Sequence, residues 1–410
     1  MKKLLIIGFI WPEPSSTAAG WRMLQLIKIF QNQGYEITFV SAASKSERSS
    51  DLKSLSVQTA QIELNQSSFD IFIKELNPAV VLFDRFLTEE QYGWRVAEIC
   101  PKALRILDTE DLHFLRAARE TAFKMGDKMS IEKLMGDLAK REIASIYRCD
   151  LTLIISKYEM DLLKETFKIG ESILIYIPFL MNKIALSDLH SYPTFEERAD
   201  FMTIGNFKHA PNYNAVIYLK TKIWPLIRSQ FKTSKMLVYG SYASGKIEAL
   251  HNENEGFLIK GWAKSSEAVF STSRVCLAPL QFGAGLKGKL LESMKFGTPN
   301  VTTNIGAEGM YDGISWNGFI EDDPIEFAKK AVQLYHVKKV WEKAQKNGID
   351  IINHGFTIKK FEDILLEKID YLMLNLTKHR THNFTGALLM HHTLKSTKYF
   401  SKWIEEKSRD

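Results

Sequence analysis

Cysteine is scarce. Cys100, Cys149 and Cys276 are the three in 410 residues, far apart, odd in number and without a CxxC pair. This speaks against a disulfide scaffold and against a thiolate metal site, and it suits a reducing compartment, so a cytoplasmic chain is expected. Long hydrophobic runs are missing as well: no stretch reaches the ~18 uninterrupted apolar residues of a membrane span. There is no arginine-rich arm and no nucleic-acid-binding signature, so nucleic acid is not an expected partner. Repeats of roughly 20–50 residues and low-complexity tracts are absent. Histidines do not fall into zinc spacing, His391 and His392 in the tail reading as surface residues, and neither metal nor cofactor is expected.

What is present is an ordinary globular composition, 45% hydrophobic and 25% charged, in a chain long enough for two cores. The net charge of +6 is compatible with a phosphate-bearing ligand or an anionic membrane surface. Most of it is mixed Lys and Glu along helices, which makes a solvated face.

Apolar runs of strand length alternate with longer amphipathic ones. Residues 3–10 (KLLIIGFI) follow two lysines and resemble the start of a secretory signal, yet the run stops at Trp11-Pro12-Glu13-Pro14. A buried parallel strand explains it, and the alternation downstream needs a first strand there. A helix over 21–33 stopping at Gly34, strands at 36–41, 79–83, 104–107 and 151–155, and a helix over 131–146 complete a first unit. The pattern restarts near residue 200, with strands at 201–205, 236–239, 256–260, 274–279 and 299–303. The expected fold class is α/β: two doubly wound Rossmann-like domains facing across a cleft, spanning 1–190 and 195–375. Residues 183–199, polar and carrying Pro193, form the linker, and 376–410 a helical tail. Ligands in such sheets bind beyond the carboxyl ends of the strands.

The segment 274–309 (RVCLAPLQFGAGLKGKLLESMKFGTPNVTTNIGAEG) carries the most chemistry. A strand ends at Pro279, a loop holds Gly283, Gly285 and Gly288, and a helix begins near Lys289. Glycines allow close backbone approach, and a helix N-terminus with Lys287 and Lys289 beside it suits a diphosphate. Glu292, one turn on, suits a ribose diol. The competing reading is a plain strand–turn–helix connector with a surface Lys–Glu pair.

That segment resembles family 4 glycosyltransferases of the GT-B fold. Their EAM..G.P pattern reads here as Glu292-Ser293-Met294-Lys295-Phe296-Gly297-Thr298-Pro299. Further pieces that resemble the family are IGNFKHAPNYNA (204–215), VYGS (238–241), IKGW (259–262), FDRF (83–86), ILDTEDLHFLR (106–116) and CDLTLIISKYE (149–159). The resemblance implies a hexosyltransferase-type enzyme. The donor would be a UDP-, GDP- or ADP-linked sugar, the acceptor a sugar or lipid-linked hydroxyl. The first domain would serve the acceptor and the second the donor, with retention at the anomeric carbon and a role in cell-envelope polysaccharide or glycoconjugate synthesis. It assigns the donor ribose to Glu292 and the nucleobase to the backbone after Gly261; Gly205 and Trp262 are further nucleotide-sugar-binding candidates, and Lys208 is a candidate for the phosphates beside Lys287 and Lys289. Three departures stand out. An acid eight positions before the ribose-binding one is Ala284, an arginine after the first donor-domain glycine is Asn206, and the acceptor-side glycine loop is reduced to Ala18-Ala19-Gly20. The first two keep open a degenerate relative that binds nucleotide or a partner without turnover. A nucleotide-sugar epimerase is disfavoured by the same missing acid.

Asp108-Thr109-Glu110-Asp111-Leu112-His113 follows an apolar run. Asp111 and His113 are the candidate catalytic residues, placed to orient or deprotonate an acceptor hydroxyl. The cluster also reads as a capping turn, with Asp108 or Thr109 as N-cap of a helix over 112–120. The tail mixes Lys, Arg and His with Leu, Met, Phe and Trp. It reads as a helix packed across the domains or as a peripheral contact with the inner face of a membrane.

Overall fold

The computed structural model describes residues 2–408. It contains two parallel sheets with helices on both faces, as the alternation implies. The first has seven strands: β1 (Lys3–Gly8), β2 (Glu36–Ser41), β3 (Gln58–Gln61), β4 (Val80–Asp84), β5 (Leu104–Asp108), β6 (Leu151–Ile154) and β7 (Leu174–Tyr176), in the order β3-β2-β1-β4-β5-β6-β7. The second has six: β8 (Ala199–Asn206), β9 (Met236–Ser241), β10 (Phe257–Gly261), β11 (Ser273–Ala278), β12 (Asn300–Thr302) and β13 (Gly318–Ile320), in the order β10-β9-β8-β11-β12-β13.

The unbroken apolar runs follow from burial on both faces. In β1, Leu4 and Ile6 enter one core while Leu5 and Ile7 enter the opposite one, and β4 divides Val80 and Leu82 from Val81 and Phe83 in the same way. β1 pairs with both β2 and β4, so the lysine-led run is a central strand.

Three local expectations are corrected. The helix over 131–146 is two, Ile131–Leu134 and Asp137–Arg148, parted near Gly136. Neither Asp108 nor Thr109 caps the helix His113–Met125. Asp108, fully buried, pairs with Arg22 at 2.9 Å, and the Thr109 hydroxyl donates to Leu153 O at 3.1 Å. The cap comes from elsewhere in the chain: Glu159 accepts from Leu112 N at 2.9 Å, and Glu142 from His113 N and Phe114 N at 3.1 and 2.9 Å. The helix Ile358–Leu374, grouped by sequence with the second unit, buries Phe361, Leu365, Ile369 and Leu372 in the core of the first sheet.

The chain therefore passes between the halves twice. The crossings are hydrogen-bonded to each other: Met181 N donates to Phe356 O at 2.6 Å and Ile358 N to Met181 O at 2.8 Å. A shared apolar cluster, with Ile155, Phe179 and Met181 against Leu286, Leu290, Met294 and Ile351, joins the halves beside this point. The tail helix Phe384–Lys407 lies on the first half, packed on the helices Arg85–Ile99 and Asp137–Arg148. Lys398 pairs with Glu98 at 2.7 Å, Glu405 with Arg95, and Asn383 Nδ2 donates to Tyr147 O at 2.8 Å. Among the described residues no helix is long and apolar enough to cross a membrane.

Candidate functional site

The carboxyl ends of both sheets open on one cavity of about 750 Å3, the place where doubly wound sheets hold ligands. Its second-sheet wall is the loop after β11 and the helix Gly288–Lys295. Gly285 has φ +63°, and a Cβ there would stand 2.8 Å from the Asp111 Cβ, so the loop turns against the first half at a glycine-only position. A Cβ on Gly288 would lie 2.7 Å from the Ala18 Cβ. The helices starting at Ala18 and Gly288 thus meet N-terminus to N-terminus, with two positive dipole ends facing one space, the first capped by the Thr17 hydroxyl on Gly20 N and the second without a side-chain cap.

Lys287 donates to Gly285 O at 2.8 Å and Lys289 to Asn212 Oδ1 at 2.8 Å. Burial pushes both ammonium groups down to about 8. Asn212 in turn donates to Asn206 O at 3.0 Å, and Asn206 Oδ1 accepts from Lys208 N at 2.9 Å, so Asn206 shapes the turn into the helix Ala210–Tyr218. Glu292 accepts from the Ser266 hydroxyl at 2.6 Å, and burial raises its carboxyl. Gly205, Lys208, Trp262, Gly283, Lys287, Lys289 and Glu292 all line the cavity, as do Asp111 and His113. Gly261, with φ +72°, and Gly285 flank it instead. The Lys208 ammonium sits 3.8 Å from the centre of the Tyr242 ring, drawn to the rim by that contact.

On the first-sheet wall, Asp111 is gripped by the Arg116 guanidinium, with His113 Nε2 at 3.4 Å. Burial works against its charge, but Arg116 and then His113 outweigh it and hold the carboxyl down at about 2. Burial drives the His113 imidazole down to about 4, so it is neutral near pH 7. A pinned carboxylate and a neutral ring are fitted to orient a hydroxyl and poorly fitted to remove its proton.

Two cavity residues lie in segments the sequence reading quoted, without being singled out as site residues. Arg85, after β4, has φ +71° and a guanidinium beside Asp84, and Glu110, after β5, has φ +62°. Asp84 and Asp108 pair across β4 and β5, so acids ending two apolar runs were the available signal. Contacts between the halves close the cleft. Arg119 grips Glu308 through both nitrogens at 2.7 and 2.8 Å and donates to Gly283 O at 2.8 Å. Glu13 accepts from the Tyr242 hydroxyl at 2.8 Å, and Arg48 lies over the Tyr242 and Trp262 rings.

Residues 198–336, which hold the Lys287–Glu292 wall, match the family model described as glycosyl transferases group 1. That stretch, about a third of the chain, is similar to glycosyl transferases of group 1. The fold of the chain is the GT-B fold of solved glycosyltransferases. S. aureus TarM, in a complex with fondaparinux, alpha-GlcNAc-glycerol and UDP, matches with 9% identity and a TM-score of 0.69 over 90% of this chain and 100% of its own. Anabaena HepE, in a complex with UDP and glucose, matches with 13% identity and a TM-score of 0.64 over 90% and 100%. A glycosyltransferase from Rickettsia africae matches with 12% identity and a TM-score of 0.64 over 91% and 99%. Among curated proteins, an uncharacterized 44.6 kDa protein in the cps region of Klebsiella pneumoniae is 21% identical over 401 residues, 90% of this chain and 100% of that protein.

Proposed function

We propose that this protein is a glycosyltransferase that takes a sugar from a nucleoside-diphosphate donor held by the second sheet and passes it to an acceptor hydroxyl presented by the first. The observation that carries this reading is the convergence of Lys287, Lys289 and Glu292 on one cavity wall at a helix N-terminus. The two ammonium groups and the free N–H groups stabilise the charge that grows on the departing diphosphate, so the transfer needs no metal. Glu292 holds the ribose diol, and the stretch from Gly261 to Trp262 lies against the base. Asp111 and His113 orient the acceptor. Closure of the halves keeps water from the donor. Retention at the anomeric carbon is implied by the family resemblance. UDP is the first nucleotide to test, because TarM and HepE are solved with it. The relative in a cps region supports a role in cell-envelope polysaccharide or glycoconjugate synthesis.

The acceptor class is a sugar or a lipid-linked sugar, met at the inner face of a membrane. The tail helix supports the second option. Phe384, Leu388, Tyr399, Phe400 and Trp403 are exposed along it, with Lys402 and Lys407 among them, the mixture that settles at an anionic lipid interface.

Melting shifts with UDP, GDP and ADP test the donor site, since a ligand of the folded state raises stability by RT ln(1 + [L]/Kd). One nucleotide is expected to stabilise the protein, and Lys289→Ala and Glu292→Ala are each expected to abolish most of the shift. An unchanged shift in both variants overturns the site. A wild-type protein that is stabilised, yet neither hydrolyses nor transfers from any donor, is the non-catalytic binder that Ala284 leaves open.

A further inference from the structure

Glu110 carries a carboxyl oxygen that is buried with nothing to bind. It is 8% exposed, its Oε1 is sealed from solvent without a hydrogen-bond partner, and its side chain lines the cleft cavity. The local chain is bent to put it there. Thr109 is locked to β6 through its hydroxyl on Leu153 O, and Asp111 N folds back on Thr109 O at 2.7 Å. Glu110 is left at the apex of that turn with φ +62°. Such a conformation is costly for a residue with a Cβ and collects at functional sites.

The two arginines near it lie closer to other partners. Arg22 is spent on Asp108 and on the carbonyls of Ile177 and Pro178. Arg85 lies beside Asp84 at 3.8 Å and over the Phe9 ring. Burial, then the charges of Asp108 and Asp84, raise the Glu110 carboxyl well above the usual range, against the pull of Arg22 and Arg85. A protonated carboxyl offers one O–H donor and a carbonyl acceptor, the pair that a sugar hydroxyl matches. The facing loop supplies no such group: Ala284 is apolar, and a Cβ on Gly285 would stand 3.2 Å from Glu110 O.

We propose that Glu110 is a sugar-binding residue of the cleft, its carboxyl hydrogen-bonded to a ring hydroxyl of the donor or acceptor sugar. The proposal rests on the transferase reading above. It is tested by titration calorimetry on wild type, Glu110→Ala and Glu110→Gln. The probes are UDP, the UDP-sugar among UDP-glucose, UDP-galactose and UDP-N-acetylglucosamine that wild type binds most tightly, and free glucose added to UDP-saturated protein. All three proteins are expected to bind UDP alike, which separates a lost sugar contact from a lost fold. If the contact is to the donor, Glu110→Ala loses about tenfold in affinity for the UDP-sugar, the worth of one good hydrogen bond, and Glu110→Gln keeps most of it. If the contact is to the acceptor, the same loss falls on free glucose. Equal affinities of wild type and Glu110→Ala for both probes overturn the proposal while leaving the nucleotide site standing. Failure of wild type to bind UDP, GDP or ADP removes the functional reading and this one with it.

Discussion

The smallest unit with a clear energetic role is the buried pair Arg22–Asp108, 1% and 0% exposed. Arg22 carries the pairing from the first helix to β5 and also holds the carbonyls that precede the crossing between the halves. Removing one partner strands a buried charge. Asp108→Asn is expected to lower unfolding stability by about 3–5 kcal/mol in urea titrations, whereas Arg22→Met with Asp108→Leu together should recover much of it. Glu159 acts by titration. Its Oε1 accepts from Leu112 N in one half and from Gly285 N in the other at 2.9 and 2.8 Å. Burial, then the charge of Asp111, lift its carboxyl from the ordinary 4.5 to about 7. The folded chain keeps this proton at pH values where the unfolded chain has lost it. The stabilisation is complete below 4.5 and fades as pH climbs to about 7. Glu159→Gln should flatten the fall of melting temperature across that window. The lysines run on a higher scale. An ammonium is charged below its pKa, so nucleotide affinity should fall as pH passes about 8, and Lys289→Arg should move that fall to higher pH.

At the scale of elements, the proposed donor wall is compact because one loop and one helix turn supply it. Lys287, Lys289 and Glu292 lie within six residues of a helix start, with Lys289 and Glu292 one turn apart on the same face, so their place together on the cavity wall was legible before any tertiary contact was known. The helix depends on the loop. Gly285→Ala is expected to cost about 2 kcal/mol through its φ and its approach to Asp111, and to weaken the UDP melting shift. Strands buried on both faces were equally plain: β2 spans Glu36–Ser41, the very residues its apolar run marks. Three of the four edge strands were not. Gln58–Gln61, Leu174–Tyr176 and Gly318–Ile320 have three or four residues, and pairing with a sheet already formed holds them, not their own pattern. The cap of the helix His113–Met125 was hidden for a related reason. Its acids, Glu142 and Glu159, lie 28 to 47 residues downstream, where no local signature reaches. Arg85 was not singled out, and Glu110 was read only as one acid of the cluster 108–113, because it is the alignment of β4 with β5 that brings the ends of the two strands together.

For the whole molecule, the contacts across the cleft define a closed state. The Arg119–Glu308 grip and the Glu13–Tyr242 contact span the two halves, and Arg119→Ala is expected to raise the radius of gyration in solution scattering, with saturating UDP bringing it back. The tail adds a second behaviour of the entire particle. Its exposed rings and lysines should bring the protein down with phosphatidylglycerol vesicles and not with phosphatidylcholine ones, and Phe400→Ala with Trp403→Ala should reduce that sedimentation severalfold. The twin crossing at Met181 and Thr357, zipped together by short main-chain bonds, shapes both motions. A pair of tethers pinned at one spot behaves like a door hinge: the leaves swing about that edge but resist swivelling and drifting. A protease nick in the exposed stretch around Pro193 should therefore yield two fragments that still travel as one body.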